Sequence, residues 1–376
     1  MSKKAKGYLL NTGVIALVLV LFLLYRDQMV ADNNKNFRLS VIPCIWQCCY
    51  LIILSSSLNL VLGFMGQLSI AQCGFMAIGA YTSALLSLAF ERAGFYTEKS
   101  GLNFTVALII SFLNAGLLSA LVGLLVGIPA LRLKGDYLAI ITLGFGMIIV
   151  NLINNLPFAG QNGLAEGSAS SSLYANGLGF SSKQQVSWVF LAIMITLVCV
   201  TAMFMFIRSK YGRAIRAIRD DEIAAESCGI NVSHYKVRTF VYSAFFAGIA
   251  GALFSCCNGS LSTGTFAFAN NSILNSTFIV VMVVLGGMGS LTGSIVAAVL
   301  MFLLNRFIKE GTWLSSAPQF VQTVFGYPML IYSIILVVVI VFRPKGIFGH
   351  NEFSLINLPG DLKKLFARKK GKETEA

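Results

Sequence analysis

The sequence contains few charged residues for its length. Only 11% of its 376 residues are Asp, Glu, Lys or Arg, whereas 56% are apolar, and the mean hydropathy is +0.78. A soluble chain of this size carries charge on about a quarter of its residues, so this composition excludes a soluble globular protein. The charges that are present form a few islands between long apolar runs, which indicates an integral membrane protein.

Groups that support catalysis are also scarce. The chain has two histidines, and it contains no H-E-x-x-H motif, no C-x-x-C pair and no G-x-x-x-x-G-K-[ST] phosphate-binding loop. We therefore predict no bound metal, no cofactor and no ATP hydrolysis by this chain. Proton- or sodium-coupled carriers usually keep an acidic or histidine group at mid-membrane, and the apolar runs hold almost no charge. Uphill transport would then take its energy from another subunit.

The apolar runs predict an all-α, polytopic membrane protein. A helix of about 20 apolar residues crosses a bilayer, and lipid offers no partner for exposed backbone groups. About ten transmembrane helices are predicted. They cover residues 8–25, 41–63, 68–90, 104–126, 137–156, 186–207, 238–257, 275–286, 289–306 and 327–342. A re-entrant segment at 286–293 would change this count.

The basic residues predict the orientation in the membrane. With a cytoplasmic N-terminus, 20 of the 28 Lys and Arg residues lie on the cytoplasmic side and 8 on the other side, as the positive-inside rule requires. Within a transmembrane domain at 1–349, a cytoplasmic loop then covers 208–237 and an extracytoplasmic loop covers 157–185. A basic tail at 350–376 follows in the cytoplasm. Because the basic residues do not form one continuous face, we predict no nucleic-acid partner.

Two glycine-rich stretches of the chain resemble each other. Residues 61–69 read VLGFMGQLS and residues 284–292 read VLGGMGSLT, with six identities in nine positions. Both would join two spans on the cytoplasmic side. Many transporters are built from duplicated bundles, with the substrate path near Gly-interrupted segments of the two halves. The similarity indicates either an internal duplication or two hairpins whose glycines serve helix packing alone.

The cytoplasmic segment 208–231 has a helical pattern. Ile215, Ile218 and Ala225 are apolar positions between charged residues, and Gly229 is suited to end the helix in the left-handed conformation. A short amphipathic helix of mixed charge fits a cleft of another protein. A solvated loop that only sets the topology is the alternative.

The same segment resembles the coupling loop of ABC-importer permeases, whose general pattern is Glu-Ala-Ala, three residues, then Gly. Ala224, Ala225 and Gly229 match this spacing, whereas Ile223 stands in the glutamate position. The closer resemblance is to the LivM-type subunit of the branched-chain amino acid permeases. Further blocks that are similar to this family lie at 58–82, 131–146, 160–164 and 342–349. Relatives often carry a glutamate at the position of Met147.

This resemblance implies a permease subunit of an ABC importer in the bacterial cytoplasmic membrane, with both termini in the cytoplasm. It implies that the subunit moves branched-chain or related amino acids by alternating access. The implied partners are a companion permease that completes a heterodimer, two ATP-binding subunits and an extracytoplasmic substrate-binding protein. Urea, amides or another small polar solute are alternative substrates. A secondary amino acid transporter is an alternative of another class.

The candidate site residues form two groups. The resemblance places the ATPase-coupling loop at Gly212, Arg213, Arg216, Asp221, Glu222, Ala224, Ala225, Glu226 and Gly229. The predicted translocation path contains Gly63, Gly66, Ser69, Gln72, Gly144, Gly146, Gly286 and Gly289. These are polar or backbone-exposing positions in apolar helices, where unwound backbone would offer hydrogen bonds to a zwitterion. Tight helix packing is the alternative for each of them.

Overall fold

The computed structural model describes residues 35–95, 102–131, 136–155, 182–257 and 276–310, and the single positions 261, 266, 334, 337 and 341. These residues form helices and short connections, without a β-strand among them. In chain order the helices are α1 (Lys35–Asn59), a π-helical segment (Leu60–Phe64), α2 (Gln72–Arg92), α3 (Leu102–Ala130), α4 (Asp136–Asn155), α5 (Ser182–Arg208), α6 (Lys210–Asp220), α7 (Glu222–Ser227), α8 (Val232–Cys257), α9 (Ser276–Gly286) and α10 (Leu291–Glu310).

Five of these stretches are long and apolar enough to cross a membrane, namely Ile42–Phe64, Gln72–Arg92, Asn103–Ala130, Trp188–Arg208 and Val232–Cys257. Shorter apolar helices lie at Tyr137–Ile153, Ser276–Gly286 and Leu291–Arg306. The prediction of an all-α, polytopic fold is confirmed. The eight helices coincide with the second to ninth predicted spans. The first predicted span lies outside the described residues, and only three helical positions of the tenth are described.

Helix α8 lies at the centre of the bundle and packs against α1, α2 and α3. Its contact with α2 is close because small residues face each other. A Cβ atom added to Gly79 would overlap the backbone of Gly248, and one added to Gly251 would overlap the backbone of Met76. Small residues of this kind let helix backbones approach, so that dispersion forces hold apolar helices together.

The outer face of α3 is aliphatic. Its exposed residues include Ile109, Leu113, Leu117, Leu121 and Leu125. A face of this composition offers no hydrogen-bonding side chain, and it is suited to contact with acyl chains. Helix α4 is packed mainly against α2, and its exposed face carries both apolar residues and Asn151. The two outer helices therefore differ in chemistry.

Candidate functional site

The two similar glycine-rich stretches also share a backbone feature. Gly66 and Gly289 occupy equivalent positions in them, and their φ angles are +73° and +90°. Residues other than glycine rarely adopt this backbone conformation. Each stretch lies between two helices, because the first separates α1 from α2 and the second separates α9 from α10. The geometry thus agrees with the internal similarity seen in the sequence.

Asn59, the last residue of α1, is buried and contacts the second glycine-rich stretch. Its Nδ2 donates to the Ser290 carbonyl at 2.8 Å, and the backbone N–H of Gly289 donates to its Oδ1 at 3.1 Å. A Cβ atom at Gly63 would overlap the backbone nitrogen of Gly289. One amide side chain therefore satisfies both a donor and an acceptor of the turn that precedes α10.

Gln72 belongs to a buried polar cluster at the start of α2. Its Nε2 donates to the hydroxyls of Ser57 and Ser243, and the Ser243 hydroxyl donates to the Ser57 carbonyl at 2.6 Å. The cluster joins α1, α2 and α8. The hydroxyl of Ser69, three residues earlier, is buried and makes no hydrogen bond in the structure.

Residues 66–71 are not helical, contrary to the predicted third span, which began at residue 68. Helix α2 starts at Gln72, and side chains from other helices hold the preceding backbone. The N–H of Ile70 donates to Thr142 Oγ1 at 3.2 Å, and the N–H of Cys73 donates to Ser276 Oγ at 3.3 Å. The break in the helix is therefore supported by α4 and α9.

A cavity of about 240 Å³ lies beside this break. The start of α2 contributes Cys73 and Gly74 to its wall, and the start of α9 contributes Ser276. Helix α4 contributes Leu143, Gly146, Met147, Val150 and Asn151. The cavity is thus lined by three helices, next to the non-helical residues that precede α2.

The predicted path residues fall in different environments. Gly146 lines the cavity, and Gly144 on the same helix has open space where a side chain would start. Gln72 and Ser69 are buried nearby. Gly63, Gly66, Gly286 and Gly289 belong to the two glycine-rich stretches, and a Cβ atom at Gly286 would overlap the backbone of Gly293. A role of these residues in translocation stays a prediction.

Sequence reasoning missed several cavity residues. Cys73 and Ser276 gave no signal, because the contact between them joins residues that are 203 positions apart. Met147 was noted in the sequence only because relatives often carry a glutamate at this position. Asn151 is different, because the sequence singles it out as a polar residue within an apolar helix that either links helices or faces an aqueous cavity.

The predicted coupling segment contains two helices rather than one. Asp221 has an extended backbone between α6 and α7, and its carboxylate accepts the N–H groups of Ile223 at 2.9 Å and Ala224 at 3.0 Å. Aspartate is a preferred N-terminal capping residue, so the chain starts a new helix there. The prediction that Gly229 ends the helix in the left-handed conformation is confirmed, because Gly229 follows α7 with a φ of +80°.

The two short helices are anchored to the bundle by three kinds of contact. Ile218, Ala225 and Val232 form a small apolar cluster. Glu222 Oε2 lies 2.9 Å from Lys236 Nζ on α8. Arg219, which was not among the predicted residues, donates from a guanidinium nitrogen to the Gly63 carbonyl at 2.7 Å. The last contact links α6 directly to the first glycine-rich stretch.

The remaining predicted residues of this segment divide between inward and outward positions. Gly212 is buried, and Arg216 donates to the Ile207 carbonyl at 3.0 Å. Arg213, Ala224, Glu226 and Gly229 are exposed. The side chain of Ile223 is 78% exposed on α7, among charged residues. An apolar tip is thus presented on an otherwise polar surface.

Within the part of the chain that the structure describes, no three His, Cys, Asp or Glu side chains could together hold a metal ion. The cavity and the outer side of the anchored helix pair are the candidate binding surfaces.

Comparison with known proteins gives a consistent result. Residues 41–340 match the family model described as branched-chain amino acid transport system, permease component. The LivM permease protein of the high-affinity branched-chain amino acid transport system of Salmonella typhimurium is 36% identical over 319 residues, which are 79% of this chain and 67% of the relative. Escherichia coli LivM is 36% identical over 318 residues, with the same shares.

A second type of relative matches a shorter region. The LivH permease protein of the same kind of system in Escherichia coli is 28% identical over 173 residues, which are 46% of this chain and 49% of the relative. No solved structure matches the chain.

Proposed function

The chain belongs to the family of permease components of branched-chain amino acid transport systems, and from this premise we propose that it is one permease subunit of an ABC importer. In this proposal a companion permease completes a heterodimer, two ATP-binding subunits supply the energy, and an extracytoplasmic binding protein delivers the substrate. The substrate is leucine, isoleucine, valine or a related amino acid. The membrane is the bacterial cytoplasmic membrane, with both termini inside.

The anchored helix pair α6–α7 is the observation that carries the proposal. Its exposed apolar tip at Ile223 is suited to a cleft of a partner protein, since buried apolar anchors dominate interface energies. Its inner side is fixed by the Glu222–Lys236 ion pair and by the bond from Arg219 to the Gly63 carbonyl. A force on the tip would therefore reach the bundle instead of bending a loose loop.

The expected mechanism is alternating access. ATP binding would close the ATP-binding subunits and displace α6–α7 as a unit. Arg219 would pass this displacement to the first glycine-rich stretch, because a charge-assisted hydrogen bond is short and strong. The contacts of Gly63 and Asn59 with residues 289–290 would pass it on to α9 and α10. Helix movement about these two breaks would open the path to either side of the membrane.

Uptake of radiolabelled leucine into proteoliposomes tests the proposal. The vesicles contain this chain, the companion permease and the ATP-binding subunits, with the binding protein added outside. We expect ATP-dependent uptake that needs every component and is competed by isoleucine and valine. A stable complex that hydrolyses ATP without leucine uptake would refute the substrate assignment, and urea and amides would then be tested. Absence of any complex would refute the importer assignment.

The Ile223→Asp variant tests the docking surface in the same vesicles. Loss of a buried apolar anchor costs about 2 kcal/mol or more, so the ATP-binding subunits should bind about 30-fold more weakly or worse. Ser233→Asp is the matched control, because it adds the same charge at an exposed position on α8. Equal binding by both variants would show that α7 does not contact the ATP-binding subunits.

A further inference from the structure

The cavity beside the helix break has mainly apolar walls. Ile70, Leu143, Met147, Val150 and Phe266 face it, and none of the lining residues that the structure describes is charged. A charged group that entered would lose its hydration without gaining a counter-charge, which is costly. An aliphatic group would lose only unfavourable contact with water. The walls therefore select for apolar groups.

Two polar side chains also line the cavity. Asn151 is exposed on α4, and Ser276 is held in place by the N–H of Cys73 at 3.3 Å. Sites for small molecules combine mostly apolar walls with a few polar groups that fix orientation. The aliphatic outer face of α3 lacks such groups. This difference favours a solute with both an apolar and a polar part over an acyl chain as the occupant.

We infer that this cavity is a subsite of the translocation path that receives the aliphatic side chain of an amino acid in transit. The inference rests on the proposed function, and it adds a location and a selection rule to it. Met147 is the central residue, because it is 42% exposed and faces the cavity from α4. Asn151 and Ser276 are the groups within reach of the polar end of such a ligand.

Protection of a cysteine introduced at Met147 tests the inference. In a Cys228→Ser background, the Met147→Cys variant is assembled into the full complex and treated with a small membrane-permeant thiol reagent. Modification is read at position 147 by peptide mass spectrometry, which separates it from the other cysteines, including Cys73 in the same cavity wall. Met205→Cys is the control, because Met205 is 68% exposed on α5 and distant in sequence from the cavity helices. We expect leucine, isoleucine and valine to slow modification at position 147 about tenfold. Glutamate and lysine should not protect it, and position 205 should not respond.

Leucine uptake by the same vesicles separates the two proposals. Uptake without protection at position 147 overturns the subsite and leaves the proposed function intact. Protection by glutamate equal to that by leucine overturns the selection for aliphatic groups. If the cysteine at position 147 never reacts, it is covered in the complex by another subunit or by lipid. This outcome also overturns the subsite. Absence of uptake in the unmodified Cys228→Ser complex refutes the proposed function and the inference together.

A volume change gives a second, independent readout. Met147→Phe adds bulk to the wall, whereas Met147→Leu nearly preserves its volume. We expect the phenylalanine variant to lower uptake of leucine about tenfold more than uptake of alanine. The leucine variant should transport both amino acids as the natural chain does. Equal loss for both substrates in the phenylalanine variant would contradict a side-chain subsite.

Discussion

The ion pair between Glu222 and Lys236 gives an asymmetric prediction. Lys236 has a side chain that is only 5% exposed, whereas the side chain of Glu222 is 41% exposed. Glu222→Gln leaves a buried ammonium without a counter-charge. Breaking a fully buried pair costs about 3–5 kcal/mol, and an exposed pair contributes about 0–1 kcal/mol. Since water partly screens Glu222, we expect a cost of about 2 kcal/mol for docking of α7.

The partner substitution should cost less. Lys236→Met removes the buried charge and leaves Glu222 able to reach water, so we expect about 0.5 kcal/mol. The double variant, Glu222→Gln with Lys236→Met, should resemble Lys236→Met alone, because no buried charge remains. Glu222→Gln is then the least stable of the three variants, even though it changes the shape of the side chain less than Lys236→Met does.

Hydrogen–deuterium exchange of the backbone amides of α7 measures this cost directly, because local opening exposes them. A cost of 2 kcal/mol corresponds to about 30-fold faster exchange in Glu222→Gln, against about twofold in Lys236→Met. Glu226→Gln, an exposed change on the same helix, is the control and should leave the rates unchanged. Equal effects of the two single variants, or additive effects in the double variant, would refute the reasoning.

Three further predictions concern the same region. Asp221→Ala removes the cap of α7 and should destabilise it by about 1 kcal/mol, seen as faster amide exchange that Asp221→Ser largely restores. Gly289→Ala should lower the yield of monodisperse protein far more than Gly94→Ala, because both have positive φ but only Gly289 lies against Gly63. Arg219→Gln should abolish stimulation of ATP hydrolysis by the loaded binding protein while the ATP-binding subunits still copurify, and a stimulation that persists would exclude Arg219 from the coupling route.

The positions of the helices could be predicted from sequence, because hydropathy alone determines which segments leave water. Their ends could not always be predicted. The seventh span was placed at 238–257, but α8 starts at Val232. Hydropathy excluded the turn that contains Lys236, although pairing with Glu222 allows that lysine to be buried. The third span was placed too early for a related reason, since residues 68–71 are mostly apolar and yet lie outside the helix.

The candidate site was harder to predict than the fold. The end of α7 at Gly229 is a local property of the chain, and sequence reasoning found it. The contacts of Asn59 with Ser290 and of Cys73 with Ser276 join residues more than 200 positions apart. Such pairs depend on how the helices pack, which no local pattern contains. The cavity, whose wall contains Cys73 and Ser276, could therefore not be predicted from the sequence.

The contact made by Asn59 is one-sided. The position equivalent to it beside the second glycine-rich stretch is Met282, whose side chain cannot donate a hydrogen bond. The last residue of α1 therefore holds the turn before α10 across 230 residues of chain, and Met282 cannot hold the first break in the same way. Two segments with similar sequences are thereby supported by different contacts. A methionine at position 59 would leave the Gly289 N–H and the Ser290 carbonyl without this partner, so the two segments are not interchangeable.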